Sequence, residues 1–295
     1  YSFYRDARMR RLTRYRYNSS PLDMDGHHIY IKDGDTVWNP GWQPTKTPLD
    51  RYTCRHGLGY TVIEGEKNGV AAAQELFVPK GDACELDRLT LQNHTDAVKE
   101  LDVFGYVEFC LWDAIDDSSN FQRNFSTGEV EVEPGVIYHK TEYRERRDHY
   151  AVFWSDTPVT SFDTTRDAFC GVYGGPADPE AVRAGHCSGS IAHGWAPVGA
   201  LHIHVTLAPG EEKKILFGLG YIENPQDEKF TAPGVINKAR AHAMISRYAT
   251  SAQVDAARKA LADHWEALLS TYHLESSEEK LDRMVNIWHQ YQCMV

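Results

Sequence analysis

His202 and His204 are the first residues whose type and spacing suit chemistry. They stand in Leu201-His202-Ile203-His204-Val205, an alternation that in a strand puts both imidazoles on one face. Such a pair can ligate a metal, but no carboxylate or third histidine lies nearby in sequence, so a polar outer face is the better account. Asp116 and Asp117 open a polar run to Gly128, where a weak calcium site and a solvated loop are the alternatives. Glu142 and Glu145 lie in Tyr138–Tyr150, and paired carboxyls do the acid–base work of glycosidases. Arg144, Arg146 and Arg147 keep both ionised, so neither suits a general acid. The close alternation of signs there fits a surface ion-pair network or a subunit contact.

Aromatic side chains are the other resource. Seven Trp and sixteen Tyr include Trp38, Trp42, Trp112, Trp154 and Trp195, several beside Gly or Pro. Aromatic faces pack on the apolar faces of sugar rings while Arg, Gln and Asn bond hydroxyls, although core packing is the commoner use of Trp. No P-loop, nucleophile-elbow, zincin or dinucleotide-binding signature is present. Gly171–Gly175 is glycine-rich, and a turn after a strand explains it.

Composition narrows the classes. Apolar residues at 42% and charged residues at 25% are ordinary for a globular chain and exclude disorder. A net charge of −11 repels polyanions and argues against broad nucleic-acid binding. Six arginines crowd residues 1–20, where polar and apolar residues alternate as in a solvated edge strand. The six cysteines form no C-x-x-C pair, and small buried thiols in a reducing compartment account for them. No apolar run reaches the ~18 residues of a membrane span.

These residues must be positioned by strands. Val-, Ile-, Thr- and Tyr-rich runs recur to about residue 225: 27–32, 59–63, 70–79, 84–93, 101–112, 129–140, 149–154, 168–173, 201–207 and 214–221. Asn68-Gly69 between two of them predicts a tight hairpin. Runs without intervening helices predict stacked antiparallel sheets. Near residue 236 the period changes, and Val254, Ala257, Leu261, Trp265 and Leu268 line one side of a helix. Ser276 and Glu279 have capping-box spacing before a second helix, whose face is Leu281, Met284, Trp288 and Tyr291. That pattern runs to Val295 without a stop signal, so a helical domain is expected to continue.

Five stretches carry a family resemblance: Tyr1–Ala7, Cys54-Arg55-His56-Gly57-Leu58-Gly59-Tyr60, Asn120–Glu133, Tyr138–Tyr150 and Asp282–Trp288. Over essentially the whole chain the sequence resembles cellobiose phosphorylases, inverting glycoside phosphorylases of glycoside hydrolase family 94. The resemblance implies a mainly β fold, a large antiparallel sandwich of the galactose-mutarotase-like super-sandwich kind. It places that sandwich at residues 1–235, a helical linker at 236–275 and the start of a catalytic (α/α)6 barrel at 276–295.

It also implies reversible phosphorolysis. Phosphate attacks the anomeric carbon of the non-reducing glucose with inversion while an aspartic acid protonates the leaving oxygen, giving α-glucose 1-phosphate and glucose. With phosphate as nucleophile one protein acid suffices. That acid is expected in the barrel, so no catalytic residue is assigned in this chain. Gln122 and Arg123 match the Gln-Arg pair that reaches the acceptor-sugar subsite of the other subunit in the family's homodimers. Arg forks and amides suit sugar hydroxyls. No cofactor and no metal is implied, inorganic phosphate being a substrate, and the expected location is cytoplasmic. Chitobiose phosphorylases look less similar around Phe109–Trp112 and Gln122–Asn124. The other class of reading is a stand-alone sugar-binding or dimerisation sandwich without catalysis.

Overall fold

The computed structural model describes residues 2–5, 8–11, 26–109, 127–142, 149–194 and 196–294, with only the backbone of 2–5, 8–11, 127–128, 141–142 and 294. The chain opens with a hairpin, β1 (Ser2–Arg5) and β2 (Arg8–Arg11), in agreement with the alternation read there. Next come β3 (His27–Asp33), β4 (Thr36–Trp38), β5 (Arg51–Gly57), β6 (Tyr60–Lys67), β7 (Val70–Phe77), β8 (Cys84–Asn93) and β9 (Lys99–Glu108). After them run β10 (Thr127–Glu133), β11 (Val136–Glu142), β12 (His149–Ser155), β13 (Ser161–Thr165), β14 (His193–Gly194), β15 (Pro197–Leu207) and β16 (Glu212–Glu223). A small hairpin of β17 (Phe230–Ala232) and β18 (Val235–Ile236) ends the β region.

Two antiparallel sheets result. One has nine strands in the order β14-β10-β11-β12-β16-β8-β7-β6-β5, the other five in the order β13-β15-β9-β3-β4. At the β6–β7 turn Asn68 and Gly69 both have positive φ, 53° and 74°, as the hairpin reading requires. Between the sheets lies one core, including Ile31, Leu89, Val103, Phe109, Phe153, Ile203 and Phe217. Each sheet also buries part of its outer face. Helices α1 (Arg166–Cys170) and α2 (Glu180–Ala184) cover Tyr30, Phe104 and Tyr106 of the five-stranded sheet. Helices α3 (Ala239–Ser246) and α4 (Ser251–Leu269) cover Leu86, Val152, Trp154 and Leu216 of the nine-stranded one.

Several expectations change. Residues 129–140 are not one strand but a hairpin that turns at Pro134-Gly135, where Gly135 has φ 74°. The 168–173 run is not a strand, and helices do intervene. Thr165 stays extended, Asp167 sits in the first turn of α1, and Gly171 closes it with φ 88° and a bond to the Asp167 carbonyl. Burial of Phe169 and Cys170 outweighs their strand preference. Strands β4, β5 and β13 carry too little apolar alternation to be read from sequence.

At the C-terminal end Val254 and Leu261 are buried and Ala257 and Trp265 pack beside them, but Leu268 is exposed. The capping box is at Thr250 and Gln253, which bond each other's backbone N–H, and not at Ser276 and Glu279. Glu278 caps the last helix instead, and Ser276 donates to Asp282. That helix, α5, comprises Glu279–Arg283, a π-helical stretch Met284–His289 and Gln290–Met294. Its Leu281, Met284 and Trp288 are about half exposed, at 48%, 48% and 53%.

Close packing of the sheets depends on Gly105 of β9, where an added Cβ would lie 2.5 Å from the Phe217 ring. Phe217 is fully buried and stacked on Phe153, so it cannot move aside cheaply. Gly105→Ala is expected to cost about 1–3 kcal/mol by overpacking. Gly175→Ala, with no atom closer than 3.9 Å, is expected to leave stability unchanged. Urea midpoints of the two variants decide it, and equal midpoints would contradict this account.

Candidate functional site

Phe109, Thr127, Glu142 and His149, the described residues that flank 110–126 and 143–148 in sequence, lie at one end of the sandwich, and the strand register locates that end. Thr127 pairs with Glu142, Gly128 with Gly194 and His149 with Glu223. The Glu108 N–H donates to Gly26 O at 2.8 Å and the Phe109 N–H to Pro197 O at 3.2 Å. Gln122 and Arg123 lie outside the described residues, as do Asp116, Asp117, Trp112, Trp195, Arg144, Glu145, Arg146 and Arg147. The structure therefore describes only the residues that flank these segments in the chain, and not the predicted sugar-binding pair.

This end is held on both faces of β9. On the outer face the Glu108 carboxylate, 1% exposed, accepts from Arg166 Nε at 3.0 Å and from the Tyr106 hydroxyl at 2.8 Å. Between the sheets Phe109 stacks on the His139 imidazole, with centroids 4.8 Å apart and planes 12° from parallel. Burial lowers the pKa of His139 to about 3, so the ring is neutral. Tyr138, His139 and Lys140 are all buried, so this half of the Tyr138–Tyr150 stretch is not a surface ion-pair network. Lys140 bonds Glu129 at 2.7 Å and Gly234 O at 3.1 Å, and its ammonium lies 4.7 Å from the Phe230 ring centre.

Below the same end, inside the sandwich, lies a polar cluster that sequence reasoning missed. His27 Nδ1 is 3.1 Å from Glu85 Oε1, its Nε2 is 3.3 Å from Asp87 Oδ2, and Gln74 donates to Asp87 at 2.8 Å. Strand alternation puts Glu85 and Asp87 on the face that carries Leu89 and Leu91 into the core. The signal available was two acids at alternate positions in an otherwise apolar strand. Burial raises Glu85 to about 8, with the Asp87 charge adding, and raises Asp87 to about 7 against the Gln74 bond. Burial also lowers His27 to about 3.

The other candidate residues are scattered. His204 is exposed, as expected, and bonds Asp102 at 3.0 Å and Glu100 at 2.9 Å. His202 corrects the outer-face reading: it is 3% exposed, stacked on Phe104, and bonded to Ser161 and Asp102 at 2.9 Å each. These carboxylates reach the histidines across the β9–β15 pairing, which sequence proximity does not reveal. Among the described residues no three His, Cys, Asp or Glu are arranged to hold a metal ion. Trp38 and Trp154 are core residues, whereas Trp42 is 43% exposed. Cys84, Cys170 and Cys187 are buried, but Cys54 and Cys293 are exposed, which limits the buried-thiol reading. No described helix is long and apolar enough to cross a membrane.

The sequence signature of the "Glycosyl hydrolase 94, supersandwich domain" family matches residues 1–251. That of the "Glycosyl hydrolase 94 superfamily, catalytic domain" matches residues 264–295. The chain belongs to glycosyl hydrolase family 94. It is 32% identical over 300 residues to an N,N'-diacetylchitobiose phosphorylase of Vibrio proteolyticus, covering 99% of this chain and 35% of that protein. It is 36% identical over 189 residues to a solabiose phosphorylase of Paenibacillus borealis, covering 63% of this chain and 24% of the relative. A solved structure assigned as a kojibiose phosphorylase from the human microbiome shares the fold, with TM-score 0.51 and 10% identity over 82% of this chain and 28% of that one. The chain thus spans about a third of the length of the first of these relatives.

The buried carboxyls predict a pH dependence. Unfolded, Glu85 and Asp87 titrate at the ordinary 4.5 and 3.8, so the folded state retains protons that the unfolded state releases. Their contribution is therefore complete below those values and is lost as pH rises through about 7 to 8. Glu85→Gln keeps the shape without the titration. Its urea midpoint is expected to fall less than the wild type's between about pH 6 and about pH 9. Parallel curves would refute the assignment.

Proposed function

We propose that this chain is the sandwich and linker part of an inverting phosphorylase that converts cellobiose and phosphate reversibly to α-glucose 1-phosphate and glucose. Membership of family 94, with phosphorylase relatives aligned over 99% of the chain, supports the phosphorylase class. What favours cellobiose is the sequence resemblance at the five stretches given above, together with the weaker likeness to chitobiose phosphorylases around Phe109–Trp112 and Gln122–Asn124. Residues 1–235 form the sandwich, 236–275 the linker, and 276–295 begin the barrel that carries the general acid. Gln122 and Arg123 hold the departing or accepting glucose across a homodimer interface. An amide and a planar guanidinium supply donors in a fixed arrangement that vicinal hydroxyls can match. No cofactor takes part and the setting is cytoplasmic.

A specific observation favours a second substrate. Two Vibrio N,N'-diacetylchitobiose phosphorylases are each 32% identical over 99% of the chain, so chitobiose is the alternative. The product of the full open reading frame, incubated with each disaccharide with and without phosphate, decides between them. Phosphate-dependent release of α-glucose 1-phosphate from cellobiose is expected. Release only of N-acetylglucosamine 1-phosphate from chitobiose would shift the assignment, and no sugar phosphate from either would overturn it. In the synthetic direction Arg123→Ala is expected to raise the KM for the acceptor about tenfold, equivalent to ~1.4 kcal/mol, with the donor KM unchanged.

A further inference from the structure

Asn68-Gly69 suits the tight turn that the β6–β7 hairpin needs, and it is also the dipeptide in which an asparagine is chemically least durable. At Gly69, where φ is 74°, an added Cβ would lie 2.4 Å from Thr95 Cγ2, so the hairpin cannot exchange it for a bulkier residue. The missing side chain also leaves the Gly69 nitrogen open to approach by the Asn68 amide. Asn68 is exposed. Among the described residues its amide bonds only Thr36 Oγ1, at 3.3 Å, and nothing accepts from the Gly69 N–H. A carboxylate stands beside the same peptide unit. Asp50 accepts from the Asn68 N–H at 2.9 Å and from Lys67 Nζ at 3.2 Å, and the first of these bonds holds its carboxyl below the usual range.

The other described asparagines are placed differently. Asn39 and Asn224 precede prolines, which carry no N–H. Asn93 is fully buried, and its amide donates to the carbonyls of Ala97, Leu207 and Ala208. The N–H that follows it, on His94, is already bonded to Gly69 O at 2.8 Å. Asn237 is tied at both ends of its amide, donating to Glu228 O at 3.0 Å and accepting from Ala239 N at 3.2 Å. Asn286 lies within α5 and bonds the Leu274 backbone in both directions. Among the described asparagines Asn68 alone combines exposure, a loosely held amide and an unengaged N–H in the next residue.

We propose that Asn68 is a self-modifying site, converted with Gly69 through a cyclic imide to aspartate and isoaspartate, and that the Asp50 carboxylate slows the conversion. The Gly69 nitrogen loses its proton to solvent and bonds to Asn68 Cγ. The bond from Cγ to Nδ2 then breaks, and the amide nitrogen takes up a proton and leaves as ammonia. Water opens the ring at either carbonyl, giving aspartate or isoaspartate, in which the main chain runs through Cβ and Cγ. No oxidant or reductant is needed. Negative charge develops on the Gly69 nitrogen in the first step, and the neighbouring Asp50 charge opposes it. Either product sets a second carboxylate beside Asp50. Isoaspartate also adds a backbone atom to a two-residue loop, which the Lys67–Val70 pairing does not accommodate. The reaction does not depend on the phosphorylase reading.

The test keeps the full-length protein in warm, mildly alkaline buffer and follows its peptides by mass spectrometry. The mass change from amide to acid at position 68, and labelling by an isoaspartyl methyltransferase, report the conversion. Asn68 is expected to convert at least about tenfold faster than Asn93, Asn237 and Asn286, which must first open locally. Asp50→Asn keeps an acceptor for the Asn68 N–H without the charge. It is expected to speed the conversion about fivefold at low salt, the size of one charge interaction in water. Added salt is expected to speed the wild type without speeding Asp50→Asn, a response that mere loosening of the turn does not give. Conversion of Asn68 no faster than that of Asn237 overturns the modification site. A wild-type rate indifferent to salt, or an Asp50→Asn rate equal to the wild type's, overturns the role of Asp50. The salt series needs only the wild type, so it decides that role even if the variant does not fold.

Discussion

Contact between the two large sheets runs through a seam of aromatic rings, and much else depends on it. Phe217 faces Gly105, Phe153 faces Gly199, the two rings stack 6.0 Å apart, and Phe109, the residue after β9, joins them to meet His139. Two glycines on the narrower sheet let rings on the wider one approach bare backbone. A side chain at either glycine would push against rings that have no free space, because interiors pack at near-crystalline density. The seam fixes the spacing of the layers.

That spacing explains how charge is tolerated at the loop end. Glu108 is buried but answered by Arg166 and Tyr106, so its charge is neutralised locally. Among the described residues Glu85 and Asp87 meet His27 and Gln74 but no Lys or Arg, and burial raises their proton affinity until charge is avoided rather than paired. The two arrangements lie on strands consecutive in sequence, β9 and β8, of different sheets, one on an outer face and one inside. Together they make this end of the sandwich polar inside and out while keeping its net charge low.

Much of this was legible in the sequence. Alternating apolar residues located most strands of both sheets, and Asn68-Gly69 gave its turn because only that backbone geometry suits those residues. The failures have physical causes. The Phe169-Cys170 pair looked like strand, but a short helix buries it equally well against Tyr106, so tertiary packing overrode composition. Ser276 bonded Asp282 rather than forming a box, since two serines and two glutamates offered competing caps. His202 and Asp102 meet only because β15 pairs with β9, a contact a hundred residues apart in sequence. The candidate pair Gln122 and Arg123 was named from resemblance alone and lies outside the described residues, and the buried acids Glu85 and Asp87 were missed because acids in a strand usually face water.

The two family regions end and begin at residues 251 and 264, both inside the single continuous helix α4. A helix interrupted by no Gly or Pro transmits orientation, because bending it would break its own hydrogen bonds. This one is fastened to the sandwich along its length. Val254 and Leu261 are buried under it, and Arg258 lies over the Tyr60 ring at 3.6 Å while bonding Glu75 at 3.1 Å. Asp255 bonds Arg88, and Lys80 contacts His264 at 2.9 Å. Trp265 rests on Gly59, where any side chain would collide with the indole nitrogen at 2.8 Å. The boundary in sequence is thus not a hinge in structure. Helix α5 is tied in turn to α4, Gln290 donating to the Leu269 carbonyl at 3.1 Å and Tyr291 lying 6.1 Å from the Trp265 ring, so its exposed Leu281, Met284 and Trp288 are oriented through α4 by the nine-stranded sheet.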